Sequence, residues 1–141
     1  MPDRRDWNGK IIEEFRANQG KVGGVFAQTP LLLLHHTGGK TGKVRVNPLA
    51  YRVDGDRLVV FASKGGAPTN PDWYYNLRAN PRASVEVGTE TRDVRARVAE
   101  GEERERLWSR QVEVAPAFGD YQRKTRRRIP VIVLEPVSEA S

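Results

Sequence analysis

The sequence predicts a mainly β fold with inserted helices (α+β), in which a small antiparallel sheet curls into a barrel. Five or six strand-like runs follow one another in hairpin order, with turn residues between them. Helical patterns interrupt this order without alternating with the strands, which disfavours a parallel βαβ sheet. No Gly-x-Gly-x-x-Gly element stands between a strand and a helix, so a dinucleotide-binding fold is excluded.

The first predicted element is an amphipathic helix over residues 7–18. Trp7, Ile11, Ile12 and Phe15 recur there at helical spacing among charged residues. We expect this apolar face to be buried against the chain's own sheet, and attachment to a membrane surface is the alternative. The glycines that follow should end the helix.

The strands are recognised by runs of apolar and β-branched residues that turn signals separate. They are predicted over residues 31–36, 43–53, 57–64, 82–88, 91–100 and 129–137. Asp54, Gly55 and Asp56 between the second and third runs suit a tight hairpin, because glycine and aspartate tolerate positive φ.

Two further helices are predicted among the strands. One covers residues 71–80, with Asn70 as its N-cap, Pro71 at its first position and Pro81 as its stop. The other covers residues 102–112, where acidic and basic residues follow a helical charge pattern.

Length and composition narrow the class of protein. With 141 residues the chain should form one domain, a helical segment over residues 1–29 followed by a barrel core over residues 30–137. Cysteine is absent, which excludes disulfides, thiolate metal sites and a cysteine nucleophile. The longest apolar run is too short to span a bilayer, so the cytoplasm is the expected location, with membrane association left open.

The charge balance favours anionic partners. The chain has 24 Lys and Arg against 18 Asp and Glu, a net charge of +6. Residues 123–128 read RKTRRR, the strongest indication of nucleic-acid binding in the sequence. Such a run is usually a solvated edge, and only Tyr121 supplies an aromatic nearby for base stacking. A basic barrel that binds nucleic acid or an anionic membrane without turnover therefore stays the weaker alternative.

The glycine-rich stretch TGGKTGKVR, residues 37–45, is not a nucleotide-triphosphate loop. That motif needs a glycine at the position of Leu34 and a helix directly afterwards, but the following residues read as a strand that contains Pro48. A phosphate could still bind there by another geometry.

The histidines and Ser63 do not form a recognisable metal site or hydrolase site in the sequence. His35 and His36 are adjacent, so on a strand they point to opposite faces and cannot form a two-histidine metal site; no metal site is expected. One satisfied, partly buried histidine and one surface histidine are predicted. Ser63 lacks the Gly-x-Ser-x-Gly elbow of a hydrolase and is predicted to donate a hydrogen bond to a ligand or a turn.

Three spaced motifs, TGGKTGKVRVNPL, ASKGG and NPDWYYNL, are more informative together than apart. They place Lys40, Arg45 and Lys64 at strand ends that hairpin pairing can bring together. Nearby glycines let backbone N–H groups approach a planar or phosphorylated ligand closely. The arrangement predicts a cofactor cradle.

In these motifs, and in the DYQ that precedes the final strand, the chain resembles the deazaflavin-dependent nitroreductase family of actinobacteria, small split β-barrel proteins that bind coenzyme F-420. The resemblance covers residues 32–137. It implies an FMN-binding-like split barrel with a deazaflavin ring in a groove and a phosphorylated, oligoglutamate-bearing tail along basic residues. It also implies an F-420-dependent reductase that transfers hydride to a quinone, an enone or a nitro-type electrophile.

The resemblance assigns roles residue by residue. Residues predicted to meet the phosphate and tail are Lys40, Thr41, Gly42 and Arg45. Residues predicted to line the ring and ribityl portion are Asn47, Pro48, Ala62, Ser63, Lys64, Gly65, Asn70, Pro71, Trp73 and Asn76. Tyr121 and Ser63 are the candidate catalytic residues, with Tyr121 placed on the substrate side of the ring.

The chain also departs from the family pattern. Ala115 and Phe118 stand where nitroimidazole-reducing relatives have tyrosines, Ala50 lacks an expected aromatic, and Gly39 replaces a basic residue. Cofactor binding should survive these changes, whereas reduction of bulky nitroimidazoles is not implied. An FMN-dependent relative is the remaining alternative.

Overall fold

The computed structural model describes residues 4–23, 30–39 and 42–137. Within them the chain forms four α-helices and seven β-strands. The helices are α1 (Arg4–Ala17), α2 (Asp72–Ala79), α3 (Gly101–Val114) and α4 (Ala117–Lys124). The strands are β1 (Leu31–Thr37), β2 (Val44–Ala50), β3 (Arg52–Asp54), β4 (Arg57–Phe61), β5 (Arg82–Val87), β6 (Glu90–Val98) and β7 (Val131–Pro136).

All seven strands belong to one antiparallel sheet in the order β2-β1-β5-β6-β7-β4-β3. The two edge strands, β2 and β3, are separated in the chain by Tyr51 alone. The sheet therefore curls until its two edges come close enough for one residue to join them. This curled half-barrel confirms the predicted antiparallel split barrel.

The inner face of the sheet forms the main core. On β1, Leu32, Leu34 and His36 point inward because side chains alternate along a strand. Leu58, Val60, Val85, Val94, Ile132 and Leu134 from the other strands meet them. From α2, Trp73, Tyr74 and Leu77 close one side of this core.

The outer face carries two smaller clusters. Ile11 and Phe15 of α1 pack on Leu31 and Leu33 of β1, and Phe15 is 1% exposed. The apolar face of the first helix is thus buried on the chain's own sheet, as predicted. On the other side, α3 and α4 cover Phe61, whose ring centroid lies 6.1 Å from that of Trp108 and 5.7 Å from that of Phe118.

Ion pairs fasten α3 to the sheet. Glu103 accepts from Arg97 at 2.5 Å and from Arg57 at 3.1 Å, and Arg97 also pairs with Glu135. Hydrogen bonding to the Arg97 guanidinium lowers the pKa of Glu103 to about 2. This network lies on the outer face and contains none of the predicted site residues.

Two predicted strands end earlier than their sequence pattern suggests. The run over residues 43–53 breaks at Tyr51, because its two halves pair on opposite edges of the sheet. The run over residues 57–64 ends at Phe61, because Ser63 takes helical φ and ψ and a 3₁₀ turn, Lys64–Gly66, follows. The hairpin at residues 54–57 is confirmed, with Gly55 at φ +65°.

The helices need two corrections. Pro71, not Asn70, is the N-cap of α2, because the Asn70 side chain bonds instead to Arg127 and Tyr75. Helix α4 was not predicted. It is short, contains Gly119, and depends on packing against Phe61 and the 3₁₀ turn more than on helix propensity.

Candidate cofactor site

His36 joins three of the elements that carry the sequence motifs. Its Nε2 lies 2.6 Å from Asn47 Oδ1 on β2, and its Nδ1 lies 3.0 Å from Asn76 Nδ2 on α2. Asn76 Oδ1 in turn accepts from the backbone N–H of Gly39, at 3.3 Å, in the turn after β1. A single histidine therefore fixes the relative positions of β2, α2 and this turn.

The two amides define the protonation state of this imidazole. Asn47 Oδ1 can only accept, so Nε2 carries the proton, while Nδ1 accepts from the Asn76 amide. The side chain is almost fully buried, with 1% exposed, and this burial lowers the pKa of His36. His36 is thus a neutral structural residue that holds two predicted cofactor residues, a role that the sequence pattern did not reveal.

We expect the protein to lose stability in mild acid because of His36. A histidine whose folded pKa is lowered favours folding above its unfolded pKa of about 6.5, and this contribution is lost as the pH falls below that value. The free energy of unfolding, measured in urea, should therefore fall between pH 7 and pH 5 by up to about 1.4 kcal/mol per pH unit.

The variant His36→Gln keeps an amide donor and acceptor but cannot titrate, so its stability should change less over the same pH range. His35→Gln is the matched control and should keep the acid-induced loss. An unchanged pH slope in His36→Gln would show that other groups cause the loss. Glu103 contributes little over this range, because its stabilising effect is lost mainly between its ordinary pKa of 4.5 and its folded pKa of about 2, which is below pH 5.

His35 lies on the opposite face of β1, as predicted, but it is not a free surface histidine. Its Nε2 is 2.5 Å from Glu86 Oε2, and Glu86 also accepts two hydrogen bonds from Arg16, at 2.7 and 3.1 Å. Hydrogen bonding to Arg16 lowers the pKa of Glu86. These three residues connect α1 to β5 and are removed from the inner face that carries His36.

The segment after β4 is the second part of the candidate site. Its 3₁₀ turn begins at Lys64, whose φ of +46° is in the left-handed region. For a residue with a Cβ atom this conformation costs about 1–2 kcal/mol, so the surroundings must hold it. The Lys64 side chain is exposed, and its Nζ donates to Thr69 Oγ1 at 3.2 Å.

Three arginines of the basic run over residues 123–128 have partners within the protein. Arg123 pairs with Asp120 and Arg128 with Glu105. Arg127 turns inward and donates to the segment after β4, including the carbonyl oxygens of Ala62 and Ser63. Arg123, Arg126 and Arg128 are exposed, as expected of a solvated edge, and Arg127 is the exception. The internal contacts leave fewer free cations for a nucleic-acid backbone.

Tyr121 lies on α4, directly over the 3₁₀ turn. Its half-buried ring packs edge-to-face on Phe118, with centroids 5.3 Å apart. The close approach depends on Gly66, because a Cβ atom at that position would lie 2.8 Å from the Tyr121 carbonyl oxygen. Helix α4 therefore holds Tyr121 beside the segment that carries Ser63 and Lys64.

Comparison with known proteins agrees with this arrangement. The family model described as F-420H(2)-dependent quinone reductase matches residues 7–136. The chain belongs to the F-420H(2)-dependent quinone reductase family. Family membership makes it an oxidoreductase with coenzyme F-420 as its cofactor.

Individual relatives support the same assignment. A Mycobacterium tuberculosis (strain H37Rv) protein provisionally named F-420H(2)-dependent quinone reductase is 46% identical over 76% of this chain and 90% of its own length. The structure titled F-420-H2 Dependent Reductase (FDR-A) is 45% identical, with a TM-score of 0.69 over 75% of this chain and 94% of that chain. Another structure, titled only as a domain-swapped dimer, is 41% identical, with a TM-score of 0.71 over 94% and 100% of the chains.

The predicted cofactor residues of this reductase differ in how far they are exposed. Gly42, Arg45 and Lys64 are exposed, and Asn47, Pro48, Ser63, Asn70 and Asn76 are half-buried. Ala62, Pro71 and Trp73 are buried, and Ala62 and Trp73 belong to the barrel core, so their side chains offer little surface to a ligand. Gly65 lies in the 3₁₀ turn, and Lys40 and Thr41 lie outside the described residues.

The predicted cofactor residues of β2 lie on different sides of the sheet. Arg45 pairs with His36 in the register of β2 and β1, so the two side chains lie on the same, inner side of the sheet. Asn47 lies on that side too, because side chains alternate along β2 and Val46 belongs to the outer cluster. By the same alternation, Pro48 lies on the outer side of β2, toward α1. Pro48 and Asn47 therefore cannot line one face of a ring through their side chains.

Helix α2 connects the two parts of the site. Asn70 precedes the helix and contacts Arg127, whereas Asn76 lies within it and contacts His36. Asn70 is therefore placed before the first turn of α2 and Asn76 in its second turn. The His36 group and the segment after β4 are thus held at a fixed spacing on the reductase.

Two cavities among the described residues are lined by no predicted site residue. One, of about 240 Å³, lies between α1 and the β5–β6 hairpin, and the other, of about 190 Å³, lies between α2 and β6. In the described part of the chain no cluster of three potential metal ligands occurs, and no helix there could cross a membrane.

Proposed function

We propose that this chain reduces quinone-type acceptors with hydride from reduced F-420, and that the surface between β2, α2, the segment after β4 and α4 holds the cofactor. The observation that carries the proposal is the match of the family model over residues 7–136, which contain all three motifs. A quinone is the first acceptor to test, and enones and nitro compounds are the alternatives.

The donor set of this surface fits an anionic, planar cofactor. Arg45 and Lys64 are exposed cations, suited to a phosphate and carboxylates. Ser63 is a half-buried hydroxyl donor beside Lys64. The carbonyl oxygens of Ala62 and Ser63, which would repel an anion, accept hydrogen bonds from Arg127.

The residues of the chain bind and orient the cofactor, and they stabilise the charge that develops on the acceptor. When bound, reduced F-420 supplies a hydride from its C5 position, and this is chiefly two-electron chemistry. Arg45 and Lys64 hold the tail, and Ser63 and Asn47 orient the ring. Tyr121 donates a hydrogen bond to the acceptor's carbonyl oxygen as negative charge develops there, and a proton from the phenol or from water completes the reduction.

The test is a comparison of cofactors. The purified protein is titrated by calorimetry with F-420, FMN and NADPH, and turnover is measured with reduced F-420 and a water-soluble naphthoquinone. We expect binding of F-420 and reduction of the quinone. Tight binding of FMN without binding of F-420 would refute the proposal and place the chain among FMN-dependent barrels.

Arg45→Ala tests the position of the anionic tail. Loss of a charge-assisted hydrogen bond should weaken F-420 binding by about 1.5–3 kcal/mol, and by less at high salt. Arg110→Ala on α3 removes an equal charge from an exposed residue and is the control. Lys40→Ala, at the other cation predicted to meet the tail, should weaken binding similarly. Unchanged affinity in both Arg45→Ala and Lys40→Ala would show that the tail lies elsewhere.

A further inference from the structure

One guanidinium contacts most of the segment that follows β4. Arg127 Nε donates to the carbonyl oxygen of Ala67 at 2.9 Å, and Nη2 donates to that of Ser63 at 2.8 Å. Nη1 donates to the carbonyl oxygen of Ala62 at 3.0 Å and to Asn70 Oδ1 at 2.7 Å. A single side chain thus bonds four residues spread over residues 62–70.

The geometry of these bonds requires arginine. A guanidinium offers five N–H donors in one rigid plane, whereas a lysine ammonium offers three donors at a single point. All three guanidinium nitrogens of Arg127 donate hydrogen bonds, and the acceptors are three backbone carbonyl oxygens and one side-chain amide oxygen. Lysine could satisfy one or two of these acceptors but could not span all four.

Arg127 also differs from its neighbours in the basic run. Arg123 and Arg128 are exposed and pair with carboxylates, but every acceptor around Arg127 is neutral. Burial of this unneutralised charge lowers the pKa of Arg127. A half-buried cation without an acidic partner is costly, and its four hydrogen bonds to the segment that it holds offset this cost.

That segment contains a conformation which needs support. Lys64 has a φ of +46°, and the preceding Ser63 has helical φ and ψ, so the chain reverses sharply between Ala62 and Gly66. A left-handed residue that is not glycine persists only where its surroundings fix it. Arg127 bonds the carbonyl oxygens on both sides of Lys64, those of Ser63 and Ala67.

We propose that Arg127 is a positioning residue, which fixes residues 62–70 so that Ser63, Lys64 and Asn70 meet F-420 without rearrangement. The proposal rests on the proposed function for the identity of the ligand. It assigns to Arg127 the preorganisation of the loop and no contact with the cofactor. Affinity should therefore depend on the shape of the guanidinium and not on the positive charge alone.

Arg127→Lys keeps the charge and is the main variant. Hydrogen exchange of the cofactor-free protein should show the amides of residues 63–70 exchanging at least about tenfold faster, while those of β1 and β5 are unchanged. The affinity for F-420 should fall by about 10- to 100-fold. The kcat at saturating F-420 should fall much less, because binding energy can still order the segment.

Two control variants separate positioning from general stability. Arg126→Ala removes an exposed charge from the same run and should behave like the unaltered protein. Glu103→Gln weakens the ion pairs between α3 and the sheet, so it should lower the melting temperature without changing F-420 affinity or exchange in residues 63–70. The hydrogen exchange and F-420 affinity of Arg127→Lys and Glu103→Gln are compared at temperatures that lie equally far below each variant's own melting temperature.

Three results would overturn the positioning role. They are unchanged exchange in Arg127→Lys, faster exchange with unchanged F-420 affinity, and an equal loss of affinity in Glu103→Gln. Failure of the unaltered protein to bind F-420 would instead refute the proposed function. Because the exchange experiment uses cofactor-free protein, these two kinds of failure are distinguishable.

Discussion

Gly66→Ala is expected to destabilise the protein by about 2–4 kcal/mol and to displace α4. Gly66 has a φ of +85°, and a Cβ atom there would lie 2.8 Å from the Tyr121 carbonyl oxygen and 3.0 Å from Lys124 Cβ. The backbone oxygen cannot move without the helix, so either the 3₁₀ turn or α4 must shift. Both movements would separate Tyr121 from Ser63 and Lys64 and weaken F-420 binding.

The control for this substitution is Gly55→Ala in the β3–β4 turn. Gly55 has a similar φ of +65°, but no atom lies within 4 Å of its would-be Cβ. It measures the conformational penalty alone, about 1–2 kcal/mol. The measurements are urea unfolding and calorimetric titration with F-420. Equal destabilisation by the two substitutions, with F-420 affinity kept in both, would show that the contact between Gly66 and α4 does not matter.

Tyr121→Phe is expected to lower kcat with a quinone or an enone by roughly 10- to 1000-fold, with F-420 affinity nearly unchanged. The hydroxyl would stabilise the oxyanion that develops on the acceptor, an interaction stronger in the transition state than in the ground state. Among the described residues, none accepts a hydrogen bond from this hydroxyl or donates one to it, so it is available to a substrate.

Stability distinguishes this role from simple packing. The Tyr121 ring contacts Phe118, and phenylalanine keeps that contact, so the free energy of unfolding should not change. Full activity of Tyr121→Phe would remove the hydroxyl from the mechanism and leave protonation to water. Parallel losses of stability and rate would mean that the hydroxyl serves the fold of α4.

Local patterns were sufficient for most of the fold. Strand periodicity located β1, β5, β6 and β7, and the Asp54–Gly55–Asp56 turn was placed correctly because glycine tolerates positive φ. The break at Tyr51 was not recognised, because residues 43–53 follow one continuous strand pattern. Only the closure of the barrel divides this run into β2 and β3. Helix α4 was missed for a related reason, since contacts with Phe61 and Gly66 stabilise it.

The candidate site was likewise predictable only in part from local sequence patterns. Short motifs nominated Arg45, Ser63 and Lys64, and the structure brings residues of all three motifs to connected elements. His36 could have been suspected, because it shares the inward side of β1 with Leu32 and Leu34, where a histidine needs partners. Its partners are 11 and 40 residues away, however, and no local pattern reveals such contacts.

Arg127 shows the limit of composition most clearly. In the sequence it is one of four arginines in a short basic run, and charge density alone suggests an external polyanion. In the folded chain its acceptors lie 57 to 65 residues earlier, so its role depends on the pairing of β7 with β4. Neighbouring residues of identical type therefore perform different tasks.

The position of β7 also determines the order in which the sheet can be completed during biosynthesis. β7 lies between β6 and β4, and in the described structure the β3–β4 hairpin has no other hydrogen-bonded neighbour in the sheet. A ribosome releases β4 about 70 residues before β7, counted from Phe61 to Val131. Until β7 emerges, the nascent chain exposes the facing edges of β4 and β6, which are the kind of unpaired edges that chaperones protect and that aggregation exploits.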